Sequence, residues 1–377
     1  MGKCEDDVHP YAKSTPNKQS TLTHTHKKPQ PWSDKMSLNI PDSPATANGE
    51  YHIRPQDYTQ AIEKARALFQ QQIIDDASWE ELPEKEDVKL ARNSSSDDPH
   101  DIPLVKAVTT IENTTPARVL ATIQLPGLRK KWDPRFEEGH VIARYGPNSY
   151  EFYSVMKSPS YFIWARDIVG VQENVYAHDG SEITVIQTSV TDEDNLPEAG
   201  SYAKSRTRAT VDVSAWRIAK KGDDVELTYV VKVHLNGAIP TSVVSIIANE
   251  TPMCCAKVRD VHYTLGYHPY ELNSHNGGAS DSKTTNITQT FFDDNDEHVW
   301  RSEYTATAGA DQFQIAFDGK RMYSGGVDVA VEGEGASDVS VQVDKDKHVI
   351  TVQVKEEAKG KHFDLLVQKG RGSIVGL

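Results

Sequence analysis

The chain has 377 residues, of which 37% are hydrophobic and 25% are charged, a balance typical of a soluble globular protein with room for two or three domains. Its formal net charge of −14 disfavours binding to the phosphate backbone of nucleic acid, and no basic stripe interleaved with aromatic residues offsets that charge. No run of the sequence approaches the ~18 apolar residues of a membrane span. We therefore expect a globular protein that neither crosses a bilayer nor binds nucleic acid.

The first segment, residues 1–50, is rich in Ser, Thr, Pro, His and Lys and has no apolar period. This composition predicts a disordered tail, because it cannot bury enough apolar surface to offset the entropy of ordering. The start, MGKCEDDVHP, lacks the apolar core of a secretory signal, and three cysteines are too few for a disulfide framework. We therefore expect a cytoplasmic protein.

From Pro55 onwards, apolar residues recur at helical spacing and predict a helix that opens the folded part. A strand is expected at about 104–112, and a helix follows from Pro116, since proline favours the first position of a helix. Alternation of apolar and polar residues then predicts six strands, near residues 140–144, 150–156, 161–169, 183–190, 209–218 and 225–234.

A long apolar helix is predicted after the turn at residues 236–240, with Thr241 or Ser242 as its cap. At 1.5 Å per residue, its ~25 residues extend ~37 Å, enough to cover the face of a sheet. Pro252 predicts a kink or a restart, with Thr251 as a second cap. One side of the helix carries an apolar stripe of Val244, Ile247, Ala248, Thr251, Cys255 and Val258. By spacing alone, such a stripe is typical of a helix that fills a core.

The C-terminal part has a different composition. Residues 274–283, SHNGGASDSK, are typical of a linker, and residues 371–377 are expected to form a tail. Between them, at 284–370, about seven segments have strand character and none predicts a helix. Short strands separated by turns predict a β-sandwich, although a barrel shares this signature.

Four segments, in order, resemble the START lipid-transfer domains: WDPRF at 132–136, FIWARDIVGVQ at 162–172, NLPEAG at 195–200 and LNGAIPTSVV at 235–244. The resemblance covers the chain from about Pro55 to Leu265 and includes neither the N-terminal tail nor the sandwich. It implies an α+β class with a helix-grip fold at residues 51–273, in which a curved antiparallel sheet wraps around the final helix. Such a fold encloses a tunnel for one lipid.

The resemblance also implies a function. The chain would be an intracellular lipid-binding and lipid-transfer protein that uses no cofactor and no metal, and that contacts membranes transiently. Its ligand would be a phospholipid, a sterol or a related lipid. The expected ligand-binding residues are Arg166, Val244, Ile247, Ala248, Thr251 and Cys255.

Further expectations concern individual side chains and one segment. Arg166 either meets the polar head of a lipid or bonds to Asp167 or to backbone carbonyls at the strand end. Sterol-carrying members commonly have a second arginine six residues on, where this chain has Gln172. Trp132 is expected to form a structural corner away from the ligand, and residues 191–208 to form a gate or a long hairpin beside the tunnel mouth.

Catalytic motifs are absent from the sequence, which has no Gly-x-Ser-x-Gly elbow, phosphate loop, HExxH or Cys-x-x-Cys. We therefore expect no enzymatic activity. Two alternatives stay open. One is an aromatase/cyclase-like enzyme, as among helix-grip relatives, which would use Arg166, Tyr150, Tyr153 or Tyr229 inside the tunnel. The other is a lipid-sensing adaptor that binds a protein partner through its β-sandwich.

Overall fold

The computed structural model describes residues 44–74, 78–93, 98, 100–124, 127–158, 163–191, 206–237, 239–272, 285–293 and 297–370. The chain divides into two units, residues 1–37 and 38–377, and every described residue belongs to the second. The predicted linker at 274–283, the predicted C-terminal tail and most of the predicted N-terminal tail lie outside the described residues.

The helices of the described chain are α1 Gln56–Ile74, α2 Pro116–Ile123, α3 Arg129–Trp132, α4 Thr241–Glu250 and α5 Cys254–Thr264. Helix α1 starts where its periodicity predicts, and it buries Tyr58, Ile62, Ala65 and Phe69 against the sheet. Helix α2 begins at Pro116 as predicted. Helix α3 was not predicted from the sequence. None of the helices in the described ranges is long and apolar enough to span a membrane.

The predicted long helix is interrupted as expected at Pro252, between α4 and α5. The predicted caps are wrong. Pro240 caps α4 and Met253 caps α5, and neither cap contributes a side-chain hydrogen bond. Thr251 does not cap the second helix; its hydroxyl donates backwards to the Ile247 carbonyl at 2.7 Å.

Ten strands form one sheet: β1 Glu80–Lys85, β2 Val88–Asn93, β3 Leu104–Ile111, β4 Phe136–Gly146, β5 Ser149–Met156, β6 Ala165–Tyr176, β7 Glu182–Ser189, β8 Arg206–Arg208, β9 Thr210–Lys221 and β10 Asp224–His234. Their order is β1-β2-β3-β10-β9-β7-β6-β5-β4, antiparallel throughout, and β8 pairs with β6 in parallel. Together with the helices, this sheet confirms the expected α+β class and START-like fold. The strand expected near 161–169 is shifted, and β1 and β2 were not predicted.

The C-terminal strands are β11 Tyr270–Glu271, β12 Thr285–Asp293, β13 Val299–Ala306, β14 Asp311–Ala316, β15 Val327–Glu332, β16 Val339–Asp344, β17 Val349–Val354 and β18 His362–Lys369. They form two four-stranded sheets, β11-β14-β17-β16 and β12-β13-β18-β15. Tyr304 and Phe313 pack across the two sheets with ring centroids 5.1 Å apart. All seven strands predicted after the linker are confirmed, and two short 3₁₀ turns at 336–338 and 356–358 were not predicted.

The ten-stranded sheet and the sandwich share one hydrophobic core. A single cluster of buried residues includes Val119 of α2, Val258 of α5, Trp300 of β13 and Phe317 after β14. The end of α5 and the sandwich approach each other closely at Gly266. A Cβ on this residue would lie 1.8 Å from Oδ2 of Asp318, which follows β14. The sandwich is therefore packed directly onto the last helix.

Candidate functional site

A cavity lies between one face of the ten-stranded sheet and the helices α2 to α5. Its empty volume is about 1320 Å³, counted with the solvent at its mouth. Strands β5, β6, β7, β9 and β10 supply one wall, and α4 and α5 supply residues opposite. Most of the lining side chains are apolar, so the space is suited to a molecule with a large apolar surface.

Three aromatic rings build one end of the cavity wall. Tyr229 stacks on Trp216 with ring centroids 3.8 Å apart, and Trp132 meets Trp216 edge to face at 5.7 Å. The Trp132 indole donates to the Thr122 carbonyl at 2.9 Å, which fixes the ring. Trp132 thus has a structural hydrogen bond, but it also lines the cavity, contrary to the expectation that it lies away from the ligand.

A chain of hydrogen-bonded polar side chains crosses the sheet on this face, and we call it the polar ladder: Tyr229, Ser214, Gln187, Gln172, Asn174 and Gln124. Its central links are Ser214 to Gln187 at 3.2 Å and Gln187 to Gln172 at 2.7 Å. These members are uncharged, and all but Asn174 line the cavity. The ladder therefore offers neutral donors and acceptors within a mainly apolar wall.

One buried hydroxyl in the cavity wall lacks a partner. Ser154 on β5 lines the cavity and is 1% exposed, and its Oγ has no hydrogen-bond partner among the described residues. A buried hydroxyl without a partner costs free energy. A polar group of a bound molecule would remove that cost.

Arg166 on β6 is 5% exposed and is held by backbone carbonyls. Its Nε donates to Leu235 O at 3.1 Å, its Nη2 donates to Asn236 O at 3.0 Å, and its Nη1 donates to Trp164 O. Burial lowers the pKa of the guanidinium. Of the two structural bonds expected for Arg166, the structure shows the one to carbonyls, which ties β6 to the turn before α4.

Asp167 does not pair with Arg166. Neighbouring residues on a strand point to opposite faces, and the Asp167 carboxylate accepts two bonds from Arg208, at 2.9 and 3.1 Å. The Tyr153 hydroxyl also donates to it, at 3.1 Å. The charge of Arg166 therefore faces the cavity side, and its carbonyl bonds hold the guanidinium in place.

The expected helix residues divide into two groups. Ile247 and Thr251 line the cavity together with Arg166. Val244 does not line the cavity; it lies in a buried cluster with Ile102, Ile239 and Ile247 itself, and Ala248 packs against that cluster.

The remaining expected helix residue, Cys255, is fully buried, with its Sγ 3.8 Å from the Ala107 carbonyl. Its neighbour Cys254 lines the cavity in its place, at helical spacing from Ile247 and Thr251. Burial raises the pKa of both thiols, which keeps them protonated.

An ion pair lies at the cavity wall where α4 ends. Arg135, just before β4, bonds Glu250, the last residue of α4, with Nη2 2.6 Å and Nε 2.8 Å from Oε2. Both residues line the cavity. Two large apolar side chains nearby are exposed: Trp164 at 57% and Ile246 at 49%. Residues 192–205, most of the expected gate or hairpin, lie outside the described residues.

Only two of the four residues considered for the enzymatic alternative line the cavity. Arg166 and Tyr229 line the cavity, whereas Tyr150 and Tyr153 do not. Burial raises the pKa of the Tyr229 phenol, so it stays protonated at neutral pH. Within the part of the chain that the structure describes, no cluster of His, Cys, Asp and Glu could hold a metal ion.

The chain is similar to several solved structures. Human STARD10 is 19% identical over 57% of this chain and 83% of that chain, with a TM-score of 0.47. Human StAR-related lipid transfer protein 5 is 19% identical over 54% and 95%, with a TM-score of 0.48. A STAR-related lipid transfer protein from Xanthomonas axonopodis is 20% identical over 49% and 98%, with a TM-score of 0.41.

A search of curated proteins gave no match. The family model of the START domain matches residues 59–260. This segment contains most of α1, the whole of α2 to α4 and all ten strands of the large sheet, and it includes every residue that lines the cavity. Because the match spans more than half of the sequence, the chain belongs to the START domain family.

Proposed function

We propose that this protein binds one lipid in the cavity and carries it between membranes in the cytoplasm. The observation that supports this function best is the large, mainly apolar cavity enclosed by the sheet and α4 within a START domain. Burial of apolar surface is worth ~25 cal/mol per Å², so a wall of this kind can hold a lipid tail without other chemistry. Binding, and not catalysis, is the role that such a wall favours.

The polar ladder suggests which part of the lipid is recognised inside. Gln172, Gln187 and Ser214 are neutral and already oriented by one another. The Ser154 hydroxyl lacks a partner, whereas the Arg166 guanidinium is engaged by carbonyls. We infer that the ligand presents an uncharged hydrogen-bonding group, such as a hydroxyl, an amide or an ester, to the ladder.

The exposed apolar side chains suggest the face that contacts a membrane. Trp164 follows Ile163, which packs on the cluster under α4, and Ile246 lies on the exposed side of α4. Tryptophan favours the interface between headgroups and acyl chains. Lys157, which lines the cavity nearby, adds a positive charge that suits an anionic surface.

Uptake of a fluorescent lipid from liposomes tests the proposed function. Ile247→Arg places an unpaired charge on the cavity wall, so we expect uptake to be lost. Ser245→Arg is the matched control, because it adds the same charge on the exposed side of the same helix. A melting curve of each variant shows that it is folded.

Normal uptake by a folded Ile247→Arg variant would contradict the proposal. So would an equal loss, in both variants, of the amount of lipid bound at equilibrium, because the exposed position should not affect the cavity. If Ile247→Arg unfolds the protein, the milder Ser214→Val decides the matter. It removes one hydroxyl from the ladder, and we expect a selective loss of affinity for hydroxyl- or amide-bearing lipids.

A further inference from the structure

A second cavity lies between the START domain and the sandwich. Its empty volume is about 670 Å³, counted with open solvent. Helix α2 and the turn between β4 and β5 form one side, and β11, β12 and β13 contribute the other. Leu120 and Gln124 line both this cavity and the proposed lipid cavity, so α2 separates the two spaces.

Arg144 brings a buried positive charge to the wall of this second cavity. The residue is 5% exposed, and its Nε donates to Thr288 O at 2.9 Å. Its Nη1 donates weakly to Pro147 O at 3.4 Å, and its guanidinium carbon lies 5.5 Å from the centre of the Tyr150 ring. Among the described residues, no carboxylate lies within ion-pair distance of it. A buried guanidinium with only neutral partners can still bind an anionic group.

Trp300 adds a second donor. Its side chain is 2% exposed, and its Nε1–H has no hydrogen-bond partner among the described residues. Buried indole N–H groups usually find an acceptor, so this one requires an explanation. Both Trp300 and Arg144 line the second cavity, where a carboxylate could accept from each of them.

The same wall also carries a negative charge. Glu271 of β11 lines the cavity, and a carboxylate has about four acceptor positions, so an existing partner leaves room for another. The rings of Tyr176 and Tyr270 line the space as well. A purely anionic ligand would be repelled by Glu271, and a purely cationic ligand would be repelled by Arg144.

We propose that the second cavity binds a small zwitterion of the amino-acid class with an apolar body. Its carboxylate accepts from the Arg144 guanidinium and the Trp300 indole N–H, and its ammonium group lies towards Glu271. This site is separate from the proposed lipid site and does not depend on it.

Three probes with one phenylethyl skeleton test the proposal on the full chain by saturation-transfer NMR and calorimetry. Phenylalanine carries both charges, 3-phenylpropionate carries only the carboxylate, and phenethylamine carries only the ammonium group. We expect phenylalanine to bind best. Trp300→Phe keeps a ring and removes the N–H, so it should weaken phenylalanine binding about tenfold and leave phenethylamine unchanged.

Arg144→Gln should weaken the binding of both phenylalanine and 3-phenylpropionate. If this variant does not fold, the milder Trp300→Phe variant alone is used to test the proposal. The proposal is overturned if phenylalanine shows no binding at millimolar concentration, or binds no better than the two singly charged probes. It is also overturned if binding is unchanged in folded Trp300→Phe protein, which would place the probes elsewhere.

Discussion

Replacing Arg166 by leucine tests whether this arginine binds the lipid or stabilises the fold. The substitution removes three hydrogen bonds from a charged donor to the carbonyls of Leu235, Asn236 and Trp164, and it leaves these carbonyls without their donor. Each such bond is worth ~1.5 to 3 kcal/mol, and water that enters after the substitution recovers part of the loss. We therefore expect the free energy of unfolding to fall by about 3 to 5 kcal/mol.

Urea unfolding measures this loss of stability. Two double-mutant cycles then show whether Arg166 or Arg208 is the partner of Asp167. Arg166→Leu and Asp167→Asn share no partner, so their effects should add to within about 0.5 kcal/mol. Asp167→Asn and Arg208→Leu remove two sides of one ion pair, so these should couple. A stable Arg166→Leu protein that has lost only lipid affinity would refute this reasoning. Coupling of more than about 1 kcal/mol between Arg166 and Asp167 would also refute it.

Three further predictions follow from single features. Trp164→Ala should slow lipid transfer between vesicles without lowering the amount of lipid bound at equilibrium, as measured by transfer kinetics, because the ring is exposed and outside the cavity lining. Gly266→Ala should lower the melting temperature, because Gly266 has a φ of +84° and its Cβ would meet Asp318; an unchanged melting temperature would count against this packing. Burial lowers the pKa of His262 and His268 from 6.5 to about 4, so these neutral imidazoles stabilise the fold above pH 6.5 and the stability falls as the pH drops towards 4. Urea midpoints that are equal at pH 7 and pH 5 would contradict the effect.

Much of the fold could be predicted because its elements have strong local patterns. The alternation in sandwich strands such as β15 and β17 reflects sheets with one buried face each. β9 and β10 are buried on both faces, by α1 on one side and by the cavity helices on the other, and their many apolar residues still predicted strands. The exposed strand Glu80–Lys85 has no apolar alternation, so its hairpin with β2 could not be recognised.

The displaced strand β6 has a different cause. Gly170 looks like a break in the pattern, but it lies inside the strand. A Cβ at this position would lie only 2.6 Å from the Phe152 ring of β5, so the close packing of the ring requires a glycine there. Only the tertiary packing shows that this glycine is required within a continuous strand.

The cavity residues were harder to predict than the fold. The apolar stripe identified Ile247 and Thr251, but it also included Val244, Ala248 and Cys255, which do not line the cavity. Apolar spacing does not distinguish a side chain that faces a cavity from one that is buried in the core. The polar ladder depends on register, since Gln172 pairs opposite Gln187 and Gln187 opposite Ser214 on neighbouring strands. The available signal was a polar residue at an inward position of each strand, but local patterns do not give the register that joins them.

Native mass spectrometry of the full chain, after incubation with mixed-lipid liposomes and removal of vesicles, tests lipid binding in the cavity most directly. We predict a mass increase equal to one lipid per chain for the wild-type protein and for Ser245→Arg. The folded Ile247→Arg variant should show none, since its new charge lies on the cavity wall. Lipid binding in the cavity would be contradicted by a folded wild-type protein that acquires no lipid, or by an Ile247→Arg variant that carries as much lipid as the wild type.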